Sequence, residues 1–207
     1  MDKLIKIIET GMSCLIPVYQ QDIGNGTKLI AKDGTSYVDS RTIKTVLKIL
    51  CQHYTLHIEA YRAKYGKMVN QRLGVPIFMH PQLMLVPMKM RKPLFAKDGA
   101  YGYVNLYAIK HIKEKDHHTS IILQNGMEIM CLHRMRTVQQ HLNRAKVIAA
   151  NHIHYTQNHN PEDTFREFYA QYNSPATKAD IAHLQREILA LRDVLKKVIV
   201  YKENDKG

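Results

Sequence analysis

Over the first 150 residues, apolar positions come in short runs broken by Gly, Pro, Asn and Asp. Residues 3–8 and 12–19 read as the first two strands, with a turn at Gly11. Asp22 to Thr27 (DIGNGT) reads as a turn. Residues 28–31 and 36–39 read as short strands around Lys32-Asp33-Gly34-Thr35, a hairpin signal. Ser40 is a good N-cap for a helix over 42–54, where Ile43, Val46, Leu47 and Leu50 recur at helical spacing. The basic, aromatic stretch 56–67 reads as a helical turn or an ordered loop. Residues 76–79 and 83–87 are apolar runs bounded by Pro76, Pro81 and Pro87. Residues 88–102 read as a basic turn region and 103–112 as the next strand. The clearest hairpin joins 120–124 to 128–132 through Asn125-Gly126, since both residues accept positive φ. Met135, Val138, Leu142 and Ile148 predict a helix over 135–150. No internal repeat or low-complexity tract is visible.

Beyond residue 150 the pattern changes. Residues 151–160 (NHIHYTQNHN) are polar and His-rich, a linker or a frayed helix end. Residues 161–172 place Phe165, Phe168 and Tyr169 on one face of a short helix, and Asn173-Ser174-Pro175 breaks it. In the tail, Ile181, Leu184, Ile188, Leu191, Leu195 and Val198 step by three and four residues, as a and d positions of a coiled coil. Thr177 and Asp180 resemble a capping box at its start. That seam predicts a homodimer or higher oligomer, the alternative being a helix packed on its own domain. The chain is therefore expected to be α+β. A β-rich core with flanking helices fills 1–150, a linker and short helix 151–175, and a coiled-coil-like helix 176–200.

Charge sharpens this outline. Residues 60–150 hold 15 Lys+Arg and 4 Asp+Glu, whereas the rest of the chain holds 15 and 14, so nearly all of the formal +12 sits in the core. A basic β-rich core suits a polyanion, most commonly nucleic acid. No apolar run reaches the length of a transmembrane helix, and the start, MDKLIKIIETG, lacks a signal-peptide layout. Cys14, Cys51 and Cys131 are few, odd in number and far apart, which fits reduced, buried thiols in a cytoplasmic protein. The twelve histidines lack zinc-site spacing, and HExxH, GxSxG, P-loop and GxGxxG motifs are absent, so neither a metal nor another cofactor is expected. A binding protein is favoured over an enzyme. The rivals are a metal-dependent nucleic-acid enzyme using His117, His118 or His152, and an RNA-binding or adaptor protein.

The cations fall into three clusters. Arg62, Lys64, Lys67 and Arg72 interleave with Tyr61 and Tyr65. Lys89, Arg91, Lys92 and Lys97 share one turn region. His133, Arg134 and Arg136 lie where the last hairpin strand meets a helix. Loops at one edge of a rigid sheet hold such groups at spacings suited to phosphates and groove edges of double-stranded DNA.

The ordered segments GMSCLIPV, TKLIAKDGTSYVDS, AYRAKYG, PIFMHPQLMLVPMKM, YVNLYAIKHIK and IILQNGMEIMCLHRMRTVQQHL resemble the ComK competence transcription factors of Gram-positive bacteria, over residues 10–150. YVNLYAIKHIK followed by LQNGMEIMCLHRMR also resembles the end of LytTR-type DNA-binding domains. Both likenesses imply DNA binding from loops of a β-fold. The ComK likeness implies a transcription activator on AT-rich promoters, located at the bacterial nucleoid, with RNA polymerase and a proteolytic adaptor as further partners. The LytTR likeness implies a DNA-contacting Arg after the final strand, which Arg134 matches, with His133 the alternative because Leu132-His133 stands where Ser-Arg is frequent. The heptad tail departs from the ComK pattern, and residues 151–207 carry no motif matching adaptor recognition.

Overall fold

In a computed structural model, the structure describes residues 3–20, 24–95 and 98–158, together with 188 and 192. Residues 1–157 form one compact unit and 158–207 a second. Lys97 and the heptad residues Ile181, Leu184, Leu191, Leu195 and Val198 lie outside the described residues, whereas Ile188 and Arg192 are helical and exposed.

The fold is α+β. Helix α1 (Lys3–Thr10) leads into β1 (Met12–Gln20), β2 (Gly24–Ala31) and β3 (Ser36–Asp39). Helices α2 (Ile43–His53) and α3 (Ile58–Met68) follow, then β4 (Ile77–His80), β5 (Leu83–Lys89) and β6 (Tyr101–Asn105). A 3-10 turn (Leu106–Ala108) leads to β7 (Ile109–Lys115), β8 (His118–Leu123), β9 (Glu128–Cys131) and α4 (Met135–Asn158). Six strands form one antiparallel sheet in the order β3-β2-β1-β6-β5-β4, and β7-β8-β9 form another. β5 is buried at every position from Leu83 to Met88, as a central strand covered on both faces must be. Residues of both sheets and all four helices share one hydrophobic core, in which Cys14, Cys51 and Cys131 are buried free thiols. Among the described residues no helix is long and apolar enough to cross a membrane.

Several expectations are corrected. Residues 3–8 are helical. Leu4 and Ile7 are wholly buried, and a separation of three puts them on one side of a helix but on opposite faces of a strand. Residues 24–27 of the expected DIGNGT turn belong to β2. The cap of α2 is Thr42 rather than Ser40, its hydroxyl accepting from Thr45 N. The 56–67 stretch resolves into α3, capped by His57. The expected strand 103–112 is two strands in different sheets, broken at Asn105. At the Asn-Gly turn only Gly126 takes positive φ (83°), Leu123 N pairs with Met127 O, and Gly126 N with Leu123 O. The two-residue turn with both centres at positive φ lies instead at Asp116 (46°) and His117 (63°). Residues 151–158 continue α4.

A structural repeat, which the hydrophobic pattern does not reveal, runs through the unit. β1-β2-β3-α2 and β7-β8-β9-α4 share their hydrogen-bonding details. Each first pair has its bulge at the same place: Met12 opposes Ala31 and Cys14 opposes Ile30, while Ile109 opposes Leu123 and His111 opposes Ile122. Each hairpin turn bends the same way, with Ala31 N to Thr35 O in one and Leu123 N to Met127 O in the other, and Gly34 (90°) matching Gly126. Lys32 N bonds Gly11 O as Gln124 N bonds Ala108 O. Each strand-to-helix corner is fixed by a buried threonine: Thr27 donates to Arg41 O at 2.8 Å, and Thr119 to His133 O at 2.9 Å. The turns also touch, through Asn125 Nδ2 on Ala31 O at 3.2 Å. Thr27→Val and Thr119→Val are each expected to destabilise the fold by about 1–3 kcal/mol, because a main-chain carbonyl is left without its donor. Urea denaturation midpoints check this.

Candidate nucleic-acid interface

The register of the large sheet brings both corners to one end. Asp39 pairs with Thr27, and Thr27 with Pro17. The β1–β6 register, in which Leu15 faces Tyr103, would, continued two residues past that last pair, set Pro17 opposite Tyr101, which pairs with Lys89. Lys89 O then accepts from Leu132 N at 2.7 Å. One cross-strand row thus runs from the 39–42 corner to the 131–134 corner. Strand spacing of about 4.8 Å makes five steps roughly 24 Å.

At the second corner the predicted residues divide. Arg134 and Arg136 are exposed at the start of α4, Lys89 is half-buried, and Lys92 is exposed just beyond it. Among the described residues none of these four has a carboxylate within ion-pair distance. His133 turns inward: it stacks on His141 (centroids 5.2 Å apart, planes at 7°) and leans on Tyr101. Arg91 is engaged internally, its guanidinium 4.0 Å over the Tyr19 ring, Nη2 donating to Asn25 Oδ1 at 2.6 Å and Nε to Gly99 O at 2.8 Å. Tyr19 in turn donates to Asp98 at 2.7 Å, so Arg91 braces the 91–99 loop against the β1–β2 tip. On that loop Leu94 and Phe95 project 69% and 72% exposed.

The first cluster lies on α3 and the loop after it, and that loop approaches this corner where Gly74 packs beside His141 and Pro87. Arg62, Lys64, Lys67 and Arg72 are exposed on α3 and the loop after it. Arg62 meets the Tyr103 hydroxyl, and Lys64 lies 5.2 Å over the Tyr65 ring. On the edge strand β7, Lys113 and Lys115 sit 3.8 and 3.6 Å from Glu128, partly neutralising one another and guarding the open edge. The Ser120 hydroxyl, then Lys113 and Lys115, hold Glu128 below the usual carboxylate range.

Sequence reasoning missed the first corner, because its cations lie before residue 60. Arg41 forks onto the buried Asp39 (Nη2–Oδ2 2.6 Å, Nε–Oδ1 2.9 Å). Lys44 and Lys48 stand exposed one turn apart on α2, and line a groove of about 700 Å³ with Cys51, His57, Glu59 and Arg62. The available signal was the matching spacing of Thr27, Gly34 and Thr45 with Thr119, Gly126 and Thr137.

The histidines of the second corner are held neutral. Burial, then His133, then Arg144 push His141 down to about 4, and burial with Lys89 nearby lowers His133. His152 is lowered by burial and Lys64, and stacks on Phe78 (4.2 Å) and Tyr65 (4.7 Å). A base depressed on folding binds its proton more readily when unfolded. Stability is therefore full above about 6.5, and His141 withdraws it as pH falls from there to about 4. His141→Phe is expected to flatten that stretch of the stability–pH curve, read from urea midpoints. Among the described residues no three of His, Cys, Asp and Glu converge to hold a metal ion.

Compared with known protein families, curated proteins and solved structures, the chain matches none of them.

Proposed function

We propose that the chain is a non-enzymatic, DNA-binding transcription activator that reads double-stranded DNA with the loop-and-helix corner after β9. The observation that carries this reading is the set Lys89, Lys92, Arg134 and Arg136, cationic and without carboxylate partners among the described residues, at one end of a rigid sheet. A sheet fixes the spacing of such groups, phosphate contacts set register, and an exposed Arg supplies base readout. Arg134 is the base-reading residue, since His133 is stacked away and Arg91 is internal. The resemblance to ComK supplies the finer terms: AT-rich promoters, competence as the output, a nucleoid location, and RNA polymerase and a proteolytic adaptor as partners. The heptads over 176–200 supply self-association. A chain ending at Ser174 is expected to show half the mass or less by light scattering, and to lose its preference for paired over single half-sites. An unchanged mass would return the heptads to their own subunit.

The test is selection of bound DNA from a random pool, followed by binding measurements on the enriched site. Arg134→Ala is expected to lose about 1–3 kcal/mol, roughly 5- to 150-fold. Lys32→Ala is expected to change little, because Lys32 lies at the opposite end of the sheet, 3.3 Å from Gln82. No enriched sequence, or equal competition by RNA, would count against this reading.

A further inference from the structure

The repeat gives the unit a second corner of the same construction. Residues 39–42 follow β3 as residues 131–134 follow β9, and the same buried threonine bond holds each. Position for position, Arg41 stands where His133 stands, Thr42 where Arg134 does, and Lys44 where Arg136 does. The chemistry at these places differs. In the first corner Asp39 fixes Arg41 by a two-pronged pair, whereas Cys131 occupies the matching position in the second and His133 stacks on a ring instead. The Thr42 hydroxyl is engaged with Thr45, accepting from its N–H and bonding its hydroxyl, and threonine carries no charge, so the first corner lacks a counterpart to the exposed Arg134. It keeps the cations. Lys44 and Lys48 are exposed on one side of α2, with Arg62 of α3 across the groove. Among the described residues that line this groove only Glu59 is acidic, and it lies 3.7 Å from His57.

We propose that this first corner is a second DNA-contacting element, in which Lys44 and Lys48 hold backbone phosphates of the same duplex that the Arg134 corner reads. This rests on the DNA-binding reading above. The chemistry assigns different tasks to the two corners. Lysines are compact point charges suited to phosphates, while an exposed Arg is suited to base edges. One repeat therefore positions and the other specifies. The cross-strand row places the corners roughly 24 Å apart, less than the ~34 Å rise of one helical turn of DNA. A single chain consequently spans contacts within one turn, before any dimer extends the footprint.

The experiment uses the full chain on its selected site, with folding of every variant checked by circular dichroism. Lys44→Gln/Lys48→Gln is compared with Arg134→Ala/Arg136→Ala and with the unaltered protein. The expected result for the lysine pair is weaker binding at 150 mM salt, a log–log salt slope shallower by about 1.8, and an unchanged selected sequence. Hydroxyl-radical protection should be lost at one flank of the half-site, less than a turn from the flank lost with Arg134→Ala/Arg136→Ala. If the lysine pair leaves slope and footprint unchanged while the arginine pair abolishes sequence preference, the first corner is no DNA contact and the proposed function stands. If the unaltered protein binds no DNA, the proposed function fails, and this inference with it.

Discussion

Replacing Asn105 with leucine is expected to cost the fold about 4 kcal/mol or more, the largest loss from any single substitution considered. Asn105 is wholly buried where the chain leaves the large sheet for the small one. Its Nδ2 donates to Met12 O at 2.9 Å and Gln82 O at 3.0 Å, and its Oδ1 accepts from Met84 N and Tyr107 N, each at 3.2 Å. One amide thereby serves β1, the β4–β5 turn, β5 and the 3-10 turn. Leucine has similar bulk and opens no large cavity, so the loss isolates the polar term: four main-chain groups at a buried site lose their partner, at about 1–3 kcal/mol each before relaxation. Stabilities of whole domains are about 5–15 kcal/mol, so the variant sits near its folding limit. Asn105→Asp is expected to fare no better, since it keeps the acceptors, loses both donated bonds and buries a charge. Urea denaturation of the three proteins checks this. A leucine variant within 1 kcal/mol of the parent would mean that water or a local shift satisfies those groups.

The same residue explains a limit of sequence reading. No Gly or Pro interrupts residues 103–112, and the alternation of Val104, Leu106 and Ala108 slips only at Ile109-Lys110, a weak mark of the change of sheet. An Asn in a strand normally signals a turn at the surface. Here its four bonds run to residues as far away as Met12, and such partners are invisible along the chain. Local chemistry was legible where it closes on itself. Gly34 and Gly126 mark their hairpins, and Val46, Leu47 and Leu50 face the core of α2 as their spacing predicts. Lys3–Thr10 was misread because a run of Leu and Ile satisfies both periods over so short a length.

The repeat was hidden for another reason. From Thr27 to Leu50 and from Thr119 to Leu142 the offset is constant, yet only six of 24 positions are identical. Upstream the offset changes, because Met12 matches Ile109 through a first hairpin of different length. The two copies bury the same positions in their second strands and helices, such as Leu29 and Ile121 or Val46 and Val138, but cover their first strands differently. Ile16 and Val18 are partly covered within the six-stranded sheet, whereas the corresponding Lys113 and Lys115 stand on an open edge strand. What persists is hydrogen bonding, which a hydrophobic pattern does not record. The candidate site was legible by half for the same cause: charge counting over 60–150 found Arg134 and Arg136, and could not weigh Lys44 and Lys48 outside that window.

DNA affinity is expected to fall by about three orders of magnitude between 50 and 200 mM salt. The formal core surplus overstates the contacts. Lys113 and Lys115 face Glu128, Arg91 is engaged inside its loop, and Lys64 and Lys67 lie on α3, outside the elements of the second corner. The contacts assigned above are six, Lys89, Lys92, Arg134 and Arg136 from the core and Lys44 and Lys48 from outside it. If each neutralises one phosphate, counterion release gives a log–log slope of roughly −5 per bound chain. Over a fourfold change in salt that slope is about a thousandfold. The second corner alone gives roughly −3.6, or about 150-fold. Fluorescence anisotropy across that range on the selected site separates the three cases. A slope near −5 requires both corners, one near −3.6 requires the Arg134 corner only, and a flat response means that this cationic edge does not meet phosphates at all.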